Sequence, residues 1–505
     1  MKTTAAATLA LSVLPFLAQA AAGPTVEDRL RALEERQTQL EKQLEERDER
    51  IKELEAQVKA PAAQGAAAGT TTAATVQAAS SATAPASEAE AKTAPTTPAR
   101  REVNEESSWG RYEGGKGVVL ARSDEAEVDF SVFTYVRYLN QLALDDTYTD
   151  AFGRTKSLDL RNDAQFQKVT LNFKGWLFNP DFRYLFYTWT ANTSQGQSAQ
   201  VVVAGNLSYH FSDAFSLAGG IGALPSTQST NYTFPNWLRV DNRTIADEFF
   251  RGSYTSGFWA WGKLSDDVGY RVMLGNNLSQ LGVDAVQMDS TFNTVSGALW
   301  WMPTTGEYGP AQGLGDYEYH DAPATLFSAH YTRSREDRQS QPGTNDFENS
   351  QIRLSDGTII FSADPFGTGT QIDRATYQMA AVSGGVKYRG WSLDGEYYWR
   401  WVDDFKANGP LPFDSMYDHG FQLQGSKMLL PQSLQGYLSG SKIFGEYGDP
   451  WDVAVGMNWY PMQRRELRVN LQGLYLRDSP VGYSSVPFVV GGNGWVFTTD
   501  VMLNF

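Results

Sequence analysis

The 505-residue chain contains no cysteine, which removes thiolate metal sites, cysteine nucleophiles and any disulfide framework. Histidine is nearly as scarce. His210, His320, His330 and His419 are scattered and form no short-spaced ligand pair such as HExxH, so no metal site and no cofactor is expected. Positive charge is also in deficit: 42 Lys and Arg against 58 Asp and Glu leave a formal charge of −16. A nucleic-acid backbone needs a basic field, so nucleic acid is not an expected partner. Long apolar runs are missing too. After residue 20 no segment approaches the roughly 20 apolar residues that a spanning helix requires, so membrane residence is open only to strands.

Aromatic residues and glycine are abundant, with 14 Trp, 24 Tyr, 27 Phe and 46 Gly. Without long apolar runs, this composition suits a closed barrel with aromatic girdles. The negative mean hydropathy does not conflict with that reading, because half of each barrel strand faces water.

Residues 1–20 carry a basic Lys2, a short apolar stretch and the small-residue pattern Ala18-Gln19-Ala20, the layout of a cleaved signal peptide. Residues 21–59 are charged, and Leu30, Leu33, Gln37, Leu40, Leu44, Arg47, Ile51, Leu54 and Val58 recur at steps of three and four. This predicts an α-helical coiled coil, as a trimer or a dimer, in which polar Gln37 and Arg47 set register. Residues 60–104 are rich in Ala, Thr, Ser and Pro and cannot bury enough apolar surface to offset ordering entropy, so they read as a flexible linker. Most of the negative charge lies downstream.

From residue 105 to 505 the period becomes two. Val128, Phe130, Val132, Thr134, Val136 and Tyr138 share one face, and the polar residues between them share the other. Sixteen strands are expected: 127–139, 164–178, 182–192, 200–211, 214–222, 249–264, 268–276, 295–303, 323–333, 375–389, 391–402, 418–429, 433–444, 452–460, 466–477 and 494–505. The connections alternate tight turns, such as Asn179-Pro180-Asp181, with long loops such as 140–163, 223–248, 334–374 and 478–493; only 303–322 breaks the rhythm. The expected fold is therefore all-β: a 16-stranded antiparallel transmembrane β-barrel preceded by the coiled coil. In the last strand Trp495, Phe497, Thr499, Val501, Leu503 and Phe505 share a face. The terminal Phe505 is the expected signal for the outer-membrane assembly machinery.

The stretches 130–137 (FSVFTYVR), 453–460 (VAVGMNWY) and 501–505 (VMLNF), together with this layout, resemble the phosphate-selective porin O/P family of bacterial trimeric outer-membrane porins. The resemblance implies a homotrimer among outer-membrane lipid and lipopolysaccharide, passive diffusion of small hydrophilic solutes such as phosphate or organic acids, and a third external loop, 223–248, folded inward as a constriction. In that loop stand Tyr232, Trp237, Arg239, Asp241, Arg243, Asp247 and Glu248. The mixed signs do not carry phosphate selectivity over. Tyr232, Phe234 and Trp237 read either as an apolar slide for solutes or as packing against the wall. Arg137, Lys168, Lys174 and Arg183 fall on the lumen side, as a positive ladder for anions or as ordinary solvated residues. Two other classes stay open. The chain could be a structural anchor whose periplasmic coil grips peptidoglycan or a partner, or a hydrolase. Against the latter, no GxSxG elbow is present, and neighbouring Asp418 and His419 would point to opposite faces of a strand.

Overall fold

A computed structural model describes residues 109–191, 200–231, 233–279, 291–339, 349–482 and 485–505. The expected signal peptide, coiled coil and linker lie outside the described residues. In chain order the strands are β1 (Tyr112–Glu113), β2 (Gly117–Arg122), β3 (Ala126–Leu144), β4 (Thr147–Thr149), β5 (Thr155–Ser157), β6 (Asn162–Leu177), β7 (Asn179–Ala191), β8 (Gln200–Ser212), β9 (Phe215–Ala223), β10 (Tyr254–Lys263) and β11 (Val268–Gly275). They continue as β12 (Thr294–Trp301), β13 (Ala324–Asp337), β14 (Ile372–Tyr388), β15 (Trp391–Ala407), β16 (Met416–Leu430), β17 (Leu434–Phe444), β18 (Trp451–Trp459), β19 (Leu467–Arg477) and β20 (Gly494–Asn504).

Sixteen of these, β3 and β6 to β20, pair antiparallel with their chain neighbours, and β20 returns to β3 through Val501↔Val136 and Thr498↔Leu139. The barrel is closed. Its alternation is the reverse of a soluble sheet: on β20 Trp495, Phe497 and Val501 are exposed, while Thr498, Asp500 and Met502 are buried inside. Large apolar side chains line the outer face, as a barrel surrounded by lipid requires, and the inner face is mainly polar, with apolar exceptions such as Met379, Tyr398 and Met502. Phe505 completes the seam through its backbone, exchanging two hydrogen bonds with Val132 at 2.8 and 3.0 Å.

The small strands are additions to the expected set. The β1–β2 hairpin extends the seam below β20, with Val118↔Phe130 in register. Arg122 donates to Glu113 at 2.9 Å and to Glu127 at 2.8 Å, and Tyr112 donates to Glu466 across the seam. Gly117 is required there: its φ is +98°, and a Cβ would meet Phe130 O at 2.2 Å.

Two sequence expectations are corrected. Residues 249–253 do not belong to a strand, because Ile245–Phe250 form a short helix and β10 begins only at Tyr254. Thr244 caps that helix by accepting from Asp247 N, and Asp247 and Glu248 occupy its first turn, where the helix dipole favours acids. The tight turn is centred on Phe178 (φ 62°) instead of 179–181, and β7 already starts at Asn179. The 302–323 segment is a genuine exception to the short turns, and the strand count is unaffected by it.

The wall is uneven. β9 to β12 contain 9, 10, 8 and 8 residues, whereas β3, β14 and β15 contain 19, 17 and 17. At about 3.4 Å per residue, the tall side rises roughly 25 to 35 Å further along the strand than the low side.

Candidate functional site: the lumen and its inward loops

β9 and β10 are joined by residues 224–253, whose neck is closed by Leu224 N donating to Ser253 O at 2.9 Å. From that neck the loop crosses the lumen to the opposite wall, eight strands away. Arg239 is buried there: its Nη2 lies 2.8 Å from Asp452 Oδ2, and its Nε donates to Ser439 at 2.9 Å. Arg468 donates to Trp237 O at 2.6 Å, Asn458 to Leu238 O at 2.9 Å and Arg137 to Val240 O at 2.6 Å. Three wall side chains thus satisfy consecutive stretches of loop backbone that would otherwise be buried without partners.

The other candidates fall into two groups. Asp241 accepts from Lys168 and from Tyr135, both at 2.9 Å. Arg243 stacks 4.2 Å over the Trp237 ring, donates to Ser229 at 2.7 Å, and approaches Glu248 at 3.3 Å and Asp247 at 3.7 Å. Glu248 also pairs with Arg251. Burial works against the charge of Glu248, yet the Arg251 and Arg243 guanidiniums hold its carboxyl below the ordinary range; burial pushes Asp247 up. Phe234 and Trp237 pack with Phe133, Tyr135 and Met502 of the wall, with a Phe133–Phe234 centroid distance of 4.8 Å. Their place is packing, not a slide. Tyr232 lies outside the described residues.

Among the lumen cations, Arg137 is locked to Asp500 at 2.6 Å and Lys168 to Asp241. They form neither an exposed ladder nor a solvated set; both are buried ion pairs. Lys174 and Arg183 differ: both are half-buried, Lys174 donating to Gly115 O at 2.8 Å and Arg183 to Pro180 O at 3.0 Å. Trp176 stands opposite Arg183 in register.

At the long-loop end the lumen holds a cluster of buried side chains. Ile352, Leu354, Ile360 and Phe361 of the 338–371 loop form one core with Phe249 and Phe250 of the helix, Tyr377 and Tyr398 of the wall, and Val481 and Phe488 of the last loop. Arg400 lies 3.9 Å over Phe249, paired with Asp418 at 2.6 Å. Arg154 ties the first loop to this layer by donating to Asp364 O and Pro365 O at 2.9 and 2.7 Å. His419 points outward from its neighbour Asp418 and accepts or donates at 2.7 Å with Tyr397.

From the short-turn end, residues 302–323 fold inward until Leu314 N donates to Asn236 O at 2.6 Å. Tyr308 donates to Asp394 at 2.7 Å, and Lys387 donates to Tyr308 O at 2.7 Å. Asn236, Asp452, Asn458, Arg468 and Asp500 were not singled out in the sequence. The four wall residues become recognisable only once the register places them opposite the loop, and Asn236 only once the 302–323 segment meets it. Among the described residues no cluster of three or more His, Asp or Glu is arranged to hold a metal ion.

No family model and no curated protein matches the chain. Solved structures do. OmpT of Vibrio cholerae aligns at 11% identity and TM-score 0.47, covering 76% of this chain and 99% of its own. An anion-selective porin from Comamonas acidovorans aligns at 10% identity and TM-score 0.47, covering 75% and 100%. The outer membrane channel DcaP of Acinetobacter baumannii aligns at 12% identity and TM-score 0.47, covering 76% and 99%.

Proposed function

We propose that this chain is an outer-membrane porin that passes small hydrophilic solutes by passive diffusion, along an eccentric route beside β6 to β12. The observation that carries the reading is a closed sixteen-strand barrel, apolar outside and polar inside, with one loop pinned across its lumen. The external core draws most of its residues from β14 to β20 and the loops above them, and the ion-paired staples stand on β3, β6 and β18. On this reading the low wall opposite carries the way through, and the least buried of the described loop residues, Ser229, Pro235 and Asn236, form the rim of the constriction. The reading includes a homotrimer, lipopolysaccharide around its outer leaflet, Phe505 as the assembly signal, and a periplasmic coiled coil that orders the trimer or touches peptidoglycan. Choice of phosphate or organic anions would rest on Lys174 and Arg183, since Arg239 and Arg243 are already neutralised.

The test is the reversal potential of the purified protein in a planar bilayer under a salt gradient, comparing chloride, phosphate and a dicarboxylate. Anion preference lost in the Lys174→Ala/Arg183→Ala double variant supports the anion reading. Equal permeability in both leaves a general porin. The external apolar core favours a second reading, a sealed structural anchor, and absence of conductance in the wild type would establish it.

A further inference from the structure

The outer face of β14 to β18 carries an apolar furrow of about 960 Å³. Leu393, Leu423 and Leu438 wall it, and Gly425 and Gly436 leave its floor low. Nothing in the fold demands glycine at these two positions: a Cβ would make ordinary contacts at 3.6 Å, with Ser392 O and with Leu429 respectively. At the periplasmic end Lys427 bends over the Trp391 ring, 4.9 Å from its centroid, and donates to Arg389 O at 2.7 Å. The Arg389 guanidinium lies 5.2 Å from the Tyr388 centroid. Neither cation is in an ion pair among the described residues. Lys442 marks the external end.

We infer that this furrow binds one anionic glycerophospholipid of the periplasmic leaflet, with its phosphate at Lys427 and Arg389 and an acyl chain along Gly436 and Gly425. Length and charge favour that occupant. From Lys427 to Phe421 the strand runs about 20 Å at 3.4 Å per residue, more than the roughly 15 Å of half a hydrocarbon core. A half-buried Lys427 over Trp391 and an exposed Arg389 beside Tyr388, at a membrane boundary, complement a phosphate and snorkel to reach it. The furrow is outside the barrel, so the inference stands or falls independently of solute passage.

The experiment is native mass spectrometry of the full chain equilibrated with dioleoylphosphatidylglycerol, with heat-dependent gel mobility confirming a folded barrel in each variant. Wild type is expected to retain one lipid per chain. Lys427→Gln should weaken retention about fivefold, the effect of one basic residue at a lipid surface. Gly436→Phe, which fills the furrow and keeps both cations, should weaken it on the order of tenfold or more by displacing buried methylenes. Conductance and chain number should not change. Equal retention in all proteins overturns the inference. A changed chain number in Gly436→Phe overturns it in favour of a protein interface, and loss in Lys442→Gln but not in Lys427→Gln overturns the assigned headgroup end.

Discussion

Replacing Asp452 by Ala should release the inward loop without unfolding the barrel. Both members of the Arg239–Asp452 pair are 1% exposed, so the substitution leaves a guanidinium buried with only Ser439 and the Arg243 carbonyl as partners. Stranding one member of a buried pair costs about 3–5 kcal/mol, and Ser441 and Ile245 N lose the same acceptor. The cost falls on loop docking, because Asp452 contributes to the barrel ladder through its backbone, between Ser441 and Leu476. At 1.4 kcal/mol per factor of ten, the undocked population rises by roughly two to three and a half orders of magnitude. Single-channel recording should then show larger and noisier conductance, and trypsin should cut at Arg239, Arg243 or Arg251 in a barrel that still runs folded on a gel. The Arg239→Met/Asp452→Ala double variant removes the stranded charge and should recover most of the docking. Wild-type conductance and trypsin resistance in folded Asp452→Ala would refute the argument. So would a double variant as disturbed as the single one.

Phe361 is fully buried in the external core. Phe361→Ala should cost about 3–5 kcal/mol of local packing, seen as a wider channel with an unchanged strand signature in circular dichroism. At the other end, hydrogen bonds from Arg122 hold the Glu113 carboxyl below its ordinary range. A depressed carboxyl stabilises the folded hairpin above its unfolded value and loses that contribution as pH falls through the lower folded value. Hydrogen exchange over residues 112–122 should therefore stay slow at neutral pH and accelerate only in acid below the usual carboxylate range. Acceleration beginning near neutrality would contradict this assignment.

The barrel was legible because period-two alternation is written locally, and the sixteen expected strands correspond one to one with those observed. Phe249 and Phe250 misled because two aromatics before Tyr254 resemble a strand start, and the Thr244 cap with Asp247 and Glu248 was the signal that outweighed them. The 334–374 loop is rich in Arg, Asp, Ser and Gly, which gives no local sign of a core. Ile352, Leu354, Ile360 and Phe361 become a core only against Tyr377 and Tyr398 from other strands. The ion pairs were less accessible still: Arg239 and Asp452 are separated by 213 positions, and no local pattern relates them.

Those pairs decide where a solute can go. An apolar core is non-directional and tolerates small shifts of the segments that form it, so the external layer alone would not fix the height or angle of the inward loop. Arg239–Asp452, Lys168–Asp241 and the Arg137 and Arg468 bonds to loop carbonyls are directional and lie on different strands, and together they leave the loop one position. Two of these bonds also neutralise a lumen cation each, Arg239 by Asp452 and Lys168 by Asp241. On the proposed reading, ion preference is tested at Lys174 and Arg183 on β6 and β7, which are half-buried and lie outside the loop's ion pairs. Charge reversal at either should therefore change ion preference while leaving loop docking, and the trypsin resistance that reports it, as in the wild type.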